Sequence, residues 1–309
     1  MARLSRLKIS EQESWYHLHC RVAGAKDDYI LADPLVQRKL IEMIKHFSSA
    51  YFCDVAGFSV MGTHYHLIAR FEVPRAVDFE DLQRRASILY PSESSQRILS
   101  YWDDEQWEHF RERLFDLSEF MRSLQSAFAR WYNRTFSRRG RFWADRFKSV
   151  YLETYDALLD CMLYVDLNPV RAGLVDKPEQ WKGSSLYLRE LGQDRWLVPL
   201  RKLLGRRSHQ DALVEYRARL YHRGNVPTKA GQVSISDRVL ADEKARGFAV
   251  RGVYLRRLGY FVDGVAIGTE GFLREQLARL REQGCYSRRF NPISQLDGVH
   301  LSLREQRVT

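Results

Sequence analysis

Polar and apolar positions alternate strictly from residue 14 to 22, with Trp15, His17, His19 and Arg21 on one side and Tyr16, Leu18, Cys20 and Val22 on the other. A period of two predicts a β-strand with unlike faces. The period then lengthens: Val36, Leu40, Met43, Ile44 and Phe47 recur at helical spacing behind an Asp33-Pro34 cap and first-turn pair, which predicts a helix. The runs YFCDVAGFSVMG (51–62) and THYHLIARFEV (63–73) carry strand-type residues and meet at Gly62, as a hairpin does. Residues 74–113 are charged and show no strand alternation, which predicts a mainly helical insertion. From Asp116 a long helix follows, with Leu117, Phe120, Met121, Leu124, Phe128 and Trp131 on one face. KSVYLE (148–153) reads as another strand, and Thr154 caps a helix over 155–167 that ends at Asn168-Pro169.

Strand, helix, strand, strand, helix, strand is the order of an α+β, ferredoxin-like split βαβ antiparallel sheet with helices on one face. In that topology the first and third strands are central neighbours. The stretch HRGNVPTKAGQ (222–232) has the glycine and proline content of a linker or exposed loop. Beyond it Thr269 precedes a helix with Phe272, Leu273, Leu277 and Leu280 inward, ending near Gly284 before a basic tail with Arg288 and Arg289. The predicted organisation is a core domain over 10–195, carrying the 74–113 insertion, and a mainly helical accessory region over 205–309 whose role the residues do not reveal.

With 309 residues and 45% hydrophobic content, the chain can bury an ordinary core as one large or two modest domains. Forty-nine Lys and Arg against 39 acids give a net charge of +10 and a pI near 9.5, which favours a polyanionic partner. Cys20, Cys53, Cys161 and Cys285 form no C-x-x-C pair, so neither a zinc ribbon nor a disulfide framework is indicated, and a reducing cytoplasm fits best. The N-terminus MARLSRLKIS lacks an apolar signal core and no run of 18 apolar residues occurs, so no membrane partner is expected.

Three groups of residues carry candidate chemistry. His64 and His66 lie two apart on a predicted strand, so both imidazoles leave one face and can converge on one ion. Imidazole suits divalent transition ions, and Mg²⁺ or Mn²⁺ adds a demand for oxygen ligands. His17 and His19 form a competing H-x-H on the neighbouring strand, and composition does not rank the pairs. Asp156, Asp160, Tyr164 and Asn168 form a polar stripe on the helix near residue 160. A phenol there is a poor nucleophile until a cation or base stabilises its phenolate, and Asn168, one turn on, offers an amide oxygen as a third metal ligand. The plainer reading is an amphipathic-helix tyrosine and a C-cap asparagine. Finally, SRRGRFWADRFKS (137–149) interleaves Arg138, Arg139, Arg141, Arg146 and Lys148 with Phe142, Trp143 and Phe147. Cations that neutralise phosphates beside rings that stack on bases suit a single-stranded DNA track, with Trp143 as the stacking platform; a solvated basic turn with a buried aromatic anchor is the alternative.

Over roughly residues 10–190 the chain resembles the IS200-like single-tyrosine HUH transposases, and within them the REP-associated tyrosine transposases. The motifs that carry this are YHLHCRV, VMGTHYHLI, GRFWADRFKS, YVDLNPVRAGLV and WKGSS. The resemblance implies a metal pair at His64 and His66 and a nucleophile at Tyr164, which opens YVDLNP. It also implies a third polar ligand at Asn168 and a 5′-phosphotyrosine joint formed as a 3′-hydroxyl is released. The implied partners are single-stranded or hairpin DNA, acted on by a monomer or homodimer. The family's histidine strand commonly reads M-x-N-H-x-H; here Thr63 precedes His64 and Tyr65 separates the histidines, a departure that bears on the local turn or on a contact behind the ligands. Two rival readings remain at this level: a non-cleaving nucleic-acid-binding regulator and a metal hydrolase that uses water.

Overall fold

The protein is described from a computed structural model covering residues 7–24, 28–225, 233–245, 260–296 and 300–304. Its sheet begins with β1 (Ser14–Arg21), followed by α1 (Pro34–Ala50) and the hairpin β2 (Cys53–Val60) and β3 (His64–Phe71). The insertion holds α2 (Phe79–Leu89), α3 (Glu93–Leu99) and α4 (Asp104–Leu114), and α5 (Leu117–Thr135), β4 (Lys148–Leu152) and α6 (Tyr155–Arg171) complete the first half. Short helices α7 (Ser185–Glu190) and α8 (Leu200–Leu203) lead to α9 (His209–Gly224), α10 (Asp237–Ala245) and α11 (Tyr260–Asp263). β5 (Gly264–Gly268), α12 (Glu270–Glu282), β6 (Ile293–Leu296) and β7 (His300–Arg304) follow.

The first four strands stand in the order β2-β3-β1-β4 with every neighbour antiparallel, so the fold is α+β with the ferredoxin-like split βαβ arrangement. Strict alternation fixes the register: Tyr16, Leu18, Cys20, Tyr65, Leu67 and Ala69 turn to the side of α1 and α5, and Ile68, Val150 and Leu152 to the side of α6. Helices therefore cover both faces, not one. The helix added after β4 carries one polar stripe on an otherwise largely apolar surface, and its buried Leu158, Met162, Val165 and Val170 cover the second face.

Asp33 caps α1 through the Leu35 and Val36 N–H groups, with Pro34 in the first turn, and Asp116 and Thr154 cap α5 and α6 in the same way. The expected stop of α6 at Asn168-Pro169 is overturned: the helix continues through Pro169 to Arg171. Pro169 and Val170 are buried, and that burial outweighs the cost of about 3 kcal/mol for an interior proline. The chain turns at Gly173, whose φ of 69° favours a residue without a side chain.

Among the described residues the region after 205 is mainly helical, as its pattern predicts, and also donates three strands to the sheet. β5 pairs in parallel with β4 through Tyr151 and Leu152, and the full order is β2-β3-β1-β4-β5-β7-β6. Glu153 closes this junction by accepting the Thr269 N–H at 2.5 Å and the Thr269 hydroxyl at 3.0 Å. Of the stretch read as a linker, residues 222–224 belong to α9, and 226–232 lie outside the described residues.

Residues 181–185, WKGSS, form a structural clasp. Trp181 Nε1–H donates to the Val60 carbonyl at 3.0 Å, Val60 N–H donates to the Gly183 carbonyl at 2.8 Å, and the Ser185 hydroxyl accepts the Phe58 N–H at 3.0 Å. A Cβ on Gly183 would lie 2.8 Å from the Val60 carbonyl oxygen and closer still to Gln37, so glycine is required there by close approach.

Candidate active site

Four histidines gather on the α6 face of the two central strands. His19 lies opposite His66, and Arg21 opposite His64, in the β1–β3 ladder. The ring centroids of His17 and His66 are 5.0 Å apart, those of His64 and His66 4.9 Å, and those of His19 and His66 5.9 Å. The two H-x-H motifs therefore line one site, as adjacent strands with matching faces require.

Their hydrogen bonds differ. His17 Nδ1 lies 2.6 Å from the Phe261 carbonyl oxygen, and His17 Nε2 lies 2.9 Å from His66 Nδ1. His64 Nδ1 is 3.2 Å from the Thr63 hydroxyl, so Thr63 contacts the back of a candidate ligand. His19 Nε2 reaches the Val262 carbonyl at 3.4 Å. Burial, reinforced by neighbouring His19, lowers the pKa of His17 to about 3; burial and then Arg21 lower that of His64 to about 4; burial and then His17 hold His66 well below its usual range. All three are neutral imidazoles at physiological pH, the protonation state a metal ligand needs.

Tyr164, on α6, packs edge-on against this cluster. Its ring centroid lies 5.6 Å from His66 and 6.0 Å from His17, with interplanar angles of 80° in both cases, and 5.5 Å from Phe261. The helix and the histidine strands are thus brought together by the packing of α6 on the sheet. Asn168 follows one turn later, its side-chain Nδ2 donating to the Tyr164 carbonyl at 2.9 Å.

Of the rest of the polar stripe on α6, Asp156 is exposed and Asp160 meets the C-terminal region. Asp160 accepts from Arg223, and His300 Nε2 lies 2.9 Å from its Oδ2. Burial raises the Asp160 pKa, but His300 and Arg223 outweigh it and the net shift is downward. Arg171, two turns beyond Tyr164, was not singled out by pattern. Burial and nearby Arg223 lower its pKa to about 10, with Tyr164 acting in the opposite direction, and its Nη2 has no hydrogen-bond partner among the described residues.

Among the described residues no group of three or more His, Cys, Asp or Glu side chains is arranged to hold a metal ion. A two-histidine site completed by neutral or substrate oxygens is the arrangement these residues fit. The buried His66 Nε2 has no hydrogen-bond partner among the described residues, so it is a nitrogen open to an ion or a water.

In the basic segment, Arg139, Arg141, Arg146 and Lys148 are exposed and Arg138 is half-buried. Lys148 pairs with His19 across β1 and β4, which puts it on the histidine face. Arg141 and Arg146 line a cleft of about 530 Å³ against α5, with Arg122 and Gln125 on the opposite wall. Trp143 is corrected from stacking platform to anchor. It is buried, its Nε1–H donates to the Gln125 carbonyl at 2.9 Å, and its ring packs on Phe142 at 4.7 Å and Tyr65 at 5.5 Å. The apolar area of the indole is better covered by α5 than left facing water.

Searches against family models and against curated proteins match nothing. Among solved structures, the chain is similar to a REP-associated tyrosine transposase bound to a REP hairpin, at 14% identity and a TM-score of 0.42, over 64% of this chain and 89% of that one. No helix among the described residues is long and apolar enough to cross a membrane.

Proposed function

We propose that the chain is a metal-dependent single-strand DNA endonuclease and strand transferase that works through a 5′-phosphotyrosine joint on Tyr164. The observation that carries this reading is the edge-on packing of the Tyr164 ring against the His66 and His17 rings, which joins a candidate nucleophile to a cluster of neutral imidazoles. Hairpin DNA of REP-like sequence is the proposed substrate, by the motif resemblance.

In the forward step the Tyr164 oxygen forms a bond to phosphorus as the bond from phosphorus to the 3′-oxygen breaks; the phenol loses its proton and the leaving 3′-oxygen gains one. The phosphodiester energy is kept in the joint, so resealing by a 3′-hydroxyl needs no nucleotide cofactor. A divalent ion, Mg²⁺ or Mn²⁺, on His64 and His66 with Asn168 as third ligand would polarise the phosphoryl oxygen. Exposed Arg139, Arg141, Arg146 and Lys148 neutralise the DNA backbone, and Arg138 supports them from the same segment.

The test is to incubate the protein with labelled single-stranded hairpins and Mn²⁺ and resolve the products under denaturing conditions. A slower band that survives denaturation is expected from the native chain and is absent from Tyr164→Phe, which still binds the DNA. Binding without any adduct indicates a non-cleaving regulator, and cleavage without an adduct indicates attack by water; either result overturns the proposal.

A further inference from the structure

The ring contacts of the buried histidines determine where their protons sit. A carbonyl oxygen accepts and never donates, so the 2.6 Å contact with Phe261 requires the proton of His17 on Nδ1. Neutral His17 then has a bare Nε2, and its 2.9 Å contact with His66 Nδ1 requires the proton of His66 to be on Nδ1. One proton per neutral ring leaves His66 Nε2 as a lone pair, and this nitrogen is buried with no hydrogen-bond partner among the described residues.

From this chain of contacts we infer that His17 is a positioning residue, which with the Phe261 carbonyl locks His66 into the tautomer that presents Nε2 to a metal ion. The inference rests on the reading of His66 as a metal ligand. It separates the two H-x-H motifs by role: one imidazole of the first strand stands behind an imidazole of the third. Such a partner fixes ring orientation and raises the basicity of the ligating nitrogen. It also gives the C-terminal region a task at the site, because Phe261 belongs to α11 and its ring packs on Tyr164 at 5.5 Å.

The relay is tested in the metal-free protein by long-range ¹H–¹⁵N NMR of the histidine rings, with Mn²⁺ and Co²⁺ titrations as a second measurement. The native chain is expected to show His66 protonated on Nδ1. His17→Leu, which removes the acceptor, is expected to lose that single tautomer and to bind either ion roughly 10- to 100-fold more weakly. His17→Gln, whose amide can both accept from His66 and donate to the carbonyl, restores both properties. If His17→Leu fails to fold, the native tautomer and the His17→Gln result still decide. A native His66 with its proton on Nε2, or unchanged metal affinity in folded His17→Leu, overturns the relay. Because the tautomer is read without metal or DNA, failure of the strand-cleavage proposal is seen separately in the adduct assay.

Discussion

Asp166 shows how a residue inside a candidate catalytic motif can serve the fold. It stands in YVDLNP two positions from Tyr164, yet it is buried and accepts the Tyr216 hydroxyl at 2.7 Å, and burial raises its pKa to about 7. The folded state therefore holds a proton that the unfolded carboxyl, at about 3.9, releases. This contribution to stability is complete below about pH 3.9 and is lost as pH rises toward 7. Asp166→Asn is expected to gain up to about 4 kcal/mol over the native chain at pH 8 and nothing at pH 4, read by urea unfolding; an equal effect at both pH values contradicts the assignment. At this scale the sequence was informative about which face each histidine takes, because a period of two leaves no choice. It was silent on the hydrogen bond between His17 and His66, which depends on strand register and ring rotation, and on the burial of Arg171 near Arg223.

Elements were legible where a local signal closed them. The Asp33, Asp116 and Thr154 caps and the hairpin around Gly62 all fall where the residues place them. The signal failed where tertiary packing decided. Pro169 does not stop α6, since the apolar surface it buries outweighs its local cost, and β5, β6 and β7 are short strands that join the sheet only through the pairing of β5 with β4, more than 100 residues away in sequence. The WKGSS clasp is the element most open to a direct test. Gly183→Ala forces a Cβ against the Val60 carbonyl and Gln37, and is expected to destabilise the protein by about 1 to 3 kcal/mol in urea unfolding. A neutral substitution contradicts the close-approach argument.

For the whole molecule, charge and acid response are the informative quantities. A chain of net +10 that binds single strands through exposed arginines should show a steep salt dependence. The double variant Arg141→Ala, Arg146→Ala is expected to reduce the slope of log affinity against log salt by roughly 1.4, about 0.7 for each lost phosphate contact. An unchanged slope removes these residues from the interface. The histidine cluster sets the acid limb. His17 and His64 have folded pKa values of about 3 and about 4, below an unfolded value near 6.5. Their contribution is complete above about pH 6.5 and is lost as pH falls toward 4 and then 3. The urea midpoint should fall between pH 7 and pH 4.5, and less in His17→Gln.

The central claim is that Tyr164 becomes joined to DNA beside the paired imidazoles, and mapping the joint by mass spectrometry tests it most directly. The adduct formed with a single-stranded hairpin is digested with protease and nuclease, and the surviving nucleotide is located by fragmentation. The account predicts a 5′-linked nucleotide on Tyr164, and not on Tyr151 or Tyr155 of the same stretch. A nucleotide on any other residue, or complete cleavage with no modified peptide, contradicts it.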